Sequence, residues 1–239
     1  AVNAGSSTIT PVVTGLSATN YTFTPANGTL TIGTRTLTVT GADATDRPYD
    51  GSSSVAITGA LLQGVVEGDD VSLATLTGTV VSANAGTGKA VTTELTLTGD
   101  DAANYALTQP AGITVDITPV ALTVTADAKS RTYDGTTFTA FSSTITGFVN
   151  SETESVITGT VTYEGSATTA VNAGSSTITP VVSGLSATNY TFTPANGTLT
   201  IDQKQLAVNP VSKTKVYGQA DPDLTWTYTG FENGEDATS

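Results

Sequence analysis

The chain alternates aliphatic and polar residues over short runs with a period of two. The clearest runs are Leu37-Thr38-Val39, Leu95-Thr96-Leu97, Ile113-Thr114-Val115-Asp116-Ile117 and Leu199-Thr200-Ile201. This period places aliphatic side chains on one face of a strand and Thr or Asp on the other. Asn-Gly or Asp-Gly pairs at 27–28, 50–51, 134–135 and 196–197 predict tight turns. The pattern therefore predicts an all-β or mostly β protein.

The sequence also repeats itself with a period of 84–85 residues. Three landmarks set this period: a strand-like run at Leu37, Leu122 and Leu206; a tyrosine before a turn at Tyr49, Tyr133 and Tyr217; and an Asn-Tyr pair ending at Tyr21, Tyr105 and Tyr190. Residues 1–32 return two periods later as residues 170–201, with Thr14 replaced by Ser183. Identity at turn and surface positions indicates duplication of a module, which is typical of repeat architectures.

The period divides the chain into four segments. Residues 1–34 are the C-terminal part of one repeat, 35–119 and 120–204 are full repeats, and 205–239 are the N-terminal part of another. We expect the chain to be a segment of a longer protein, because its first and last segments are incomplete. About four residues separate the last strand of one repeat from the first strand of the next. Such short connections predict β modules arranged end to end as a rod.

Each module is predicted to be β-sandwich or β-grasp-like, with one short helical turn. The segment from Gly59 to Val71 is the candidate for that turn, because aliphatic residues at 61, 62, 65 and 66 have helical spacing.

The composition excludes several classes of function. The chain contains neither His nor Cys, which removes the commonest general base, the thiol nucleophile, the Ser-His-Asp triad and any disulfide. A net charge of −13 predicts repulsion from nucleic acid and from anionic membranes. No apolar run approaches the roughly 18 residues that a membrane helix needs. We therefore expect a protein that is not an enzyme, does not bind nucleic acid and does not insert into a membrane.

Several motifs carry a family resemblance. In the first full repeat they are Tyr49-Asp50-Gly51, Gly68-Asp69-Asp70, Asn84-Ala85-Gly86-Thr87-Gly88-Lys89 and the run from Leu97 to Tyr105. Together they resemble the YDG-type repeat of large bacterial surface proteins of the filamentous haemagglutinin and adhesin kind. The stretch from Lys215 to Leu224 resembles the related MBG repeat, which has Tyr-Gly in place of Tyr-Asp-Gly.

The resemblance implies full YDG-type repeats at 35–119 and 120–204 and an MBG-type repeat beginning at 205. It also implies an extracellular, mostly β module on a bacterial cell surface or in a secreted protein, and no catalytic residues. The second full repeat departs from the family pattern, because Ser151-Glu152-Thr153 replaces the Gly-Asp-Asp triplet. For the Tyr-Asp-Gly element a structural role is favoured: the ring covers the edge of the core and the hydroxyl finds a backbone partner.

A recurring acidic turn is the best candidate for a binding site. It occupies residues 64–70, 147–152 and 230–236, at a spacing of 83. Asp69, Asp70, Asp100 and Asp101 are weak calcium candidates, because calcium binds oxygen ligands and many extracellular modules use it. The chain has no Asp-x-Asp-x-Asp-Gly run, and the acidic residues change between copies. A solvated turn is therefore the favoured interpretation, and no other cofactor is expected.

Three hypotheses of function follow. The first is a non-enzymatic structural stalk segment of a bacterial adhesin, involved in adhesion or biofilm, whose partners are neighbouring repeats and a surface ligand that the sequence does not identify. The second is a subunit of an extracellular filament, a homopolymer in which strand addition between chains completes the partial repeats. The third is a glycan- or protein-binding module. Its candidate surface is Trp226 and Tyr228, for which a place in the core is the favoured interpretation.

Overall fold

The computed structural model describes residues 3–238, and its regular structure is almost wholly β. The chain divides into two compact units, Ala1–Pro119 and Val120–Ser239. We call residues 3–34 the N-terminal half-module and residues 205–238 the C-terminal half-module. The helices within the described range are three-residue 3-10 turns at Ala102–Asn104, Glu154–Val156 and Ser166–Thr168.

The strands of the first unit are short and follow one another closely. They are β1 (Gly5–Ile9), β2 (Gly28–Ile32), β3 (Arg35–Thr40), β4 (Asp43–Ala44), β5 (Arg47–Pro48), β6 (Ser54–Thr58), β7 (Leu61–Gln63), β8 (Ser72–Thr75), β9 (Thr77–Val80), β10 (Gly86–Thr93), β11 (Thr96–Thr98), β12 (Tyr105–Leu107) and β13 (Thr114–Thr118).

The complete module of the first unit is built on two main sheets. One has the order β12-β3-β7 and the other the order β4-β6-β9-β10-β13-β5, while β8 and β11 form a separate pair. Strand β3 pairs in parallel with β12 and antiparallel with β7. Both sheets contribute buried aliphatic side chains: Leu37, Val55, Ile57, Val80, Val91, Val115 and Ile117. Their alternation with exposed Thr residues confirms the period-two pattern of the sequence.

The second unit contains a complete module and the C-terminal half-module. Its strands are β14 (Val120–Ala126), β15 (Lys129–Thr132), β16 (Ser143–Thr146), β17 (Thr162–Glu164), β18 (Gly174–Val181), β19 (Tyr190–Ala195), β20 (Gly197–Asp202), β21 (Ala207–Pro210) and β22 (Trp226–Thr229). The complete module has two sheets, with the orders β16-β14-β19 and β15-β20-β18-β17.

The two sheets of this module pack against each other. Ala126 of β14 lies in one buried cluster with Ile178 of β18 and with Leu199 and Ile201 of β20. Residues from both sheets thus share one core, as in a β-sandwich. A β-grasp arrangement needs a helix against its sheet, whereas the described residues of this module contain only the short 3-10 turns.

The helical turn predicted between Gly59 and Val71 is wrong, because this segment begins with strand β7. Leu62 pairs antiparallel with Val39 of β3, and Leu61 points to solvent. Gly59 has φ +65°, and a Cβ at this position would lie 2.5 Å from the carbonyl oxygen of Gly41. Glycine therefore permits the tight turn that precedes β7. The pairing of β7 with β3 outweighs the local preference for a helix that the spacing of the aliphatic residues 61, 62, 65 and 66 indicated.

The duplicated block has the same register in both of its copies. Strands β1 and β2 pair Gly5 with Ile32, and β18 and β20 pair the equivalent Gly174 with Ile201. The surroundings of the two copies differ, since residues 190–195 form β19 beside β14 whereas the identical residues 21–26 form no strand. Local sequence thus determines the pairing of the two strands in both copies. A neighbouring strand such as β14 determines whether the segment before the second strand, residues 190–195 or 21–26, also becomes a strand.

Candidate functional site: the motif turns and the module joints

The Tyr-Asp-Gly motif forms a turn that its own aspartate closes. The Asp50 carboxylate accepts a hydrogen bond from the backbone N–H of Ser52 at 2.8 Å, and Asp134 accepts one from Thr136 at 2.9 Å. The following glycine has a positive φ in both modules, +77° at residue 51 and +72° at residue 135. These backbone hydrogen bonds, with a nearby arginine, lower the pKa of both carboxyl groups.

Sequence reasoning missed the arginine that holds this turn. Arg131 pairs with Asp134 at 3.2 Å, donates to the Thr136 hydroxyl at 3.2 Å and also donates to the Thr136 carbonyl. Arg47 makes the equivalent contacts with Asp50 and with the Ser52 carbonyl. The available signal was an arginine two positions before each motif tyrosine, in a chain with only 8 basic residues. The forked guanidinium is suited to this role because it donates to two acceptors at once.

The Asn-Tyr motif connects to the recurring acidic turn of the same module. Tyr105 donates its hydroxyl proton to Asp69 at 2.5 Å and accepts the backbone N–H of Val66 at 3.0 Å. In the second complete module, Tyr190 makes the same pair of contacts with Glu152 and with the N–H of Val149. The change from Asp to Glu therefore preserves a carboxylate acceptor.

Both tyrosines have a pKa above the ordinary value for tyrosine. For Tyr105 the main cause is its hydrogen bond to Asp69, which favours the protonated hydroxyl. For Tyr190 burial is the larger cause, and its hydrogen bond to Glu152 adds to it. The acidic turn thus supplies an acceptor for a neutral tyrosine.

The four weak calcium candidates lie on two turns that hydrogen bonds connect to each other. Asp69 accepts from Tyr105, Asp101 accepts from the N–H of Asp70 at 3.0 Å, and Asp70 accepts from the N–H of Asp100 at 3.3 Å. Within residues 3–238, no group of three or more His, Cys, Asp or Glu side chains has a geometry that could hold a metal ion. Calcium binding stays an untested expectation.

The first module joint connects the N-terminal half-module to the complete module that follows it. The Asn104 side-chain oxygen accepts the backbone N–H of Ala4 at 2.8 Å, and its amide donates to the Asn3 side chain at 3.4 Å. A cleft of about 260 Å³ opens beside these contacts, between Ile32 and Tyr105. The Asn-Tyr motif therefore serves two contacts: Tyr105 binds its own module and Asn104 binds the preceding one.

The second module joint connects residues 120–204 to the C-terminal half-module. Tyr133 donates its hydroxyl proton to Glu235, and Lys204 pairs with Glu232. The hydrogen bond to Glu235 raises the pKa of Tyr133. A cleft of about 230 Å³ lies beside these four side chains. The predicted backbone partner of the Tyr133 hydroxyl is wrong, because the observed partner is a carboxylate of the adjoining segment.

A glycine of the Tyr-Asp-Gly motif brings the two segments of this joint close together. The Asn233 side chain donates to the Gly135 carbonyl at 3.3 Å. A Cβ on Gly135 would lie 2.6 Å from the Cβ of Asn233. The glycine therefore supplies the positive φ of the turn and also the space into which the neighbouring segment fits.

Trp226 and Tyr228 lie on strand β22 and share one face of it. The indole N–H of Trp226 donates to the Tyr228 hydroxyl at 2.7 Å, and both side chains are exposed in the half-module. Strand β22 pairs with β21 in the register in which β16 pairs with β14, so that Tyr228 is equivalent to the half-buried Ile145. This register places both aromatic side chains on the core-facing side of a module.

No helix within residues 3–238 is long and apolar enough to cross a membrane.

Comparison with known families identifies the modules. The YDG domain model matches residues 33–112, and the MBG domain model (YGX type) matches residues 122–200 and 206–239. The second match includes the complete module of the second unit, although that module carries Tyr133-Asp134-Gly135. Neither a curated protein nor a solved structure matches the chain significantly. The chain therefore belongs to the proteins built from YDG- and MBG-type repeat modules.

Proposed function

We propose that the chain is a non-enzymatic stalk segment of a bacterial cell-surface or secreted adhesin, involved in adhesion or biofilm. Its modules hold one another at fixed joints, and the number of modules sets the reach of the protein. The observation that carries the proposal is that motif residues lie at the joints. Asn104 contacts the preceding segment, and Tyr133 contacts the following one.

Short connections support the proposal. Two residues separate β2 from β3, and four separate β20 from β21. A connection of this length, combined with side-chain contacts across the joint, restricts rotation between neighbouring segments far more than a flexible linker does. The net charge of −13 adds mutual repulsion, which disfavours collapse of one stalk on another.

The near identity of residues 1–32 and 170–201 also supports length control by whole modules. Because the two blocks are interchangeable, residues 33–201 can be inserted after Ile201 without creating a new junction sequence. The inserted Gly33 then follows an isoleucine in the same sequence context as in the parent chain, where it follows Ile32. Such an insertion adds two periods and keeps every joint native.

Small-angle X-ray scattering on chains with zero, one and two such insertions tests the proposal. A stalk gains the same increment of maximum dimension with each insertion. Modules that collapse on one another would instead grow with about the 0.38 power of chain length, as compact proteins do. Shrinking increments would therefore contradict a stalk, whereas constant increments support it.

A further inference from the structure

The first two strands of the complete module in the second unit pair in parallel with its last two strands. Strand β14 pairs Val120 with Tyr190 of β19, and strand β15 pairs Lys129 with Leu199 of β20. The offset is 70 residues in both pairings, although they lie in different sheets. The two pairings therefore continue one register from one sheet into the other.

The two pairings form one ladder, in which residues 120–132 lie beside residues 190–202. We call it the terminal ladder, because its segments are the first and the last of the module. Where the ladder passes from one sheet to the other, a Cβ on Gly197 would overlap the Ala126 carbonyl oxygen. Glycine thus leaves room for the two main chains to stay in contact at this point. The terminal ladder is therefore continuous across the module.

The two sequence motifs lie at the two ends of the terminal ladder. At one end the N–H of Val120 donates to the Asn189 carbonyl at 2.9 Å, and Asn189 belongs to the Asn-Tyr motif. At the other end the N–H of Tyr133 donates to the Asp202 carbonyl at 2.8 Å, and Tyr133 opens the Tyr-Asp-Gly motif. The main chain of both motifs therefore extends the ladder beyond its strands.

The parallel direction of the terminal ladder decides how the module carries tension. The chain enters the ladder at the start of one segment, residue 120, and leaves it at the end of the other, residue 202. Tension on the chain therefore pulls the two segments in opposite directions along their own length. All the hydrogen bonds of the ladder share this shearing load, whereas an antiparallel pair loaded at its entry and exit would open one bond at a time.

The complete module of the first unit has the same ladder in a shorter form. Arg35 of β3 pairs in parallel with Tyr105, and Arg47 of β5 pairs in parallel with Ile117, again at an offset of 70 residues. These two pairings contain three and two residue pairs, whereas those of the second unit contain six and four. The two modules thus share the register and differ in the length of the ladder.

We propose that the complete modules are tension-bearing units, in which the terminal ladder resists forced unfolding. Forced unfolding is governed by the unfolding rate and not by the equilibrium free energy. A ladder whose hydrogen bonds must break together raises the barrier for one direction of load, the direction that runs along the chain. The inference goes beyond the proposed stalk, which concerns the reach of the protein and not the load that it carries.

Optical-tweezers unfolding of the full chain in two directions tests the inference. DNA handles are attached to two introduced cysteines, in a chain that has no cysteine of its own. Ala121→Cys with Gln203→Cys loads the terminal ladder in shear, and Ala121→Cys with Thr188→Cys opens it from one end. All three positions are exposed. At equal loading rates, we expect the shear direction to need a force at least about twofold higher.

The comparison of directions separates the terminal ladder from general stability, because both variants contain the same folded module. Their melting temperatures without load should agree with that of the parent. Equal unfolding forces in the two directions overturn the inference, since the resistance would then come from the stability of the module as a whole.

The first complete module provides a second test, because its ladder is shorter. Thr36→Cys with Pro119→Cys applies the equivalent shear, and Thr36→Cys with Ala103→Cys opens the ladder from the equivalent end. The ratio of shear force to opening force should be smaller than in the second module. A ratio at least as large in the first module contradicts the role of the ladder. Neither test depends on how modules are arranged, so the scattering test of the stalk proposal stands or falls independently.

Discussion

Leu30 and Leu199 occupy the same position in the same strand sequence, yet Leu30 is 47% exposed and Leu199 is fully buried. Leu199 contributes to the core with Ala126 and Ile178, which come from two other strands. The pair is an internal comparison in which local sequence is constant and only the tertiary surroundings change. Differences in energy between the two sites can therefore be assigned to packing.

We expect Leu199→Ala to lower the free energy of unfolding of its module by about 2–5 kcal/mol, because it removes buried methyl groups and leaves a cavity. Leu30→Ala should cost less than about 1 kcal/mol, because that side chain is half exposed. Urea unfolding of both variants at low protein concentration measures the difference. Equal costs at the two sites would show that the two copies have the same surroundings in solution.

Alternation was sufficient to predict the strands that contain Leu37, Val115 and Leu199, because aliphatic side chains that alternate with Thr or Asp are typical of a half-buried strand. It was insufficient between Gly59 and Val71, where the pairing of Leu62 with Val39 decides the structure. That pairing joins residues 23 positions apart in the sequence, so no local window contains it.

The candidate site was predictable where a motif acts within its own turn. Asp50 and Gly51 form the expected tight turn. The hydroxyl contact of Tyr133 was not predictable in the same way. Tyr133 reaches Glu235, 102 positions further along the chain, and nothing in the local sequence identifies that partner. Periodic motifs thus predict turns, whereas contacts between modules can be identified only from the three-dimensional structure.

Protonation of Asp134 should destabilise its module in acid. The folded-state pKa of this carboxyl lies below its ordinary value, because the Thr136 backbone N–H and hydroxyl and Arg131 favour the charged form. Its contribution to stability is therefore present above the unfolded-state pKa of about 3.9 and is lost as the pH falls through the lower folded-state value.

Urea unfolding of the parent and of Asp134→Asn at pH 7 and pH 3 measures this effect. The parent should lose more stability between the two pH values than Asp134→Asn does, and the exposed Asp223→Asn should behave as the parent. If Asp134→Asn loses as much stability between pH 7 and pH 3 as the parent does, the acid sensitivity comes from groups other than Asp134.

Tyr190→Phe should lower the free energy of unfolding of the second complete module by about 1 kcal/mol. The change removes the hydroxyl that accepts from the N–H of Val149 and donates to the carboxylate of Glu152.

The raised pKa of Tyr190 also predicts a loss of stability in alkali. As the pH rises above the unfolded-state pKa of about 10, the tyrosine of the unfolded chain releases its proton before that of the folded chain, which favours unfolding of the parent. Thermal melts at pH 7 and pH 10.5 measure both effects, with the exposed Tyr217→Phe as control. A Tyr190→Phe variant with the stability and alkaline sensitivity of the parent would contradict this role.

Calcium should leave the thermal stability of the chain unchanged. Asp70 and Asp101 already accept hydrogen bonds from the backbone of the facing turn, so their role is to hold the two turns together. Melts with excess calcium and with a chelator should agree within about 1 °C, and Asp101→Asn should lower the melting temperature equally in both. A calcium-dependent rise that Asp101→Asn abolishes would instead establish a metal site at this turn pair.

Asn104→Ala should loosen the first module joint without unfolding the module that carries it. The change removes the acceptor for the N–H of Ala4 and the donor to Asn3, and both contacts lie at the joint. Spin labels on cysteines at Thr8 and Thr98, both exposed, report the distance across the joint in a chain that has no other cysteine. We expect a broader distance distribution in Asn104→Ala and an unchanged melting temperature.

The conservative Asn104→Asp variant serves as the control for this joint, because it keeps the oxygen that accepts from Ala4 and loses only the weaker amide donation to Asn3. Its distance distribution should remain as narrow as that of the parent. If Asn104→Ala leaves the distribution equally narrow, the short connection between β2 and β3 is sufficient to fix the joint. The Asn-Tyr motif would then act only within its own module, through Tyr105 and Asp69.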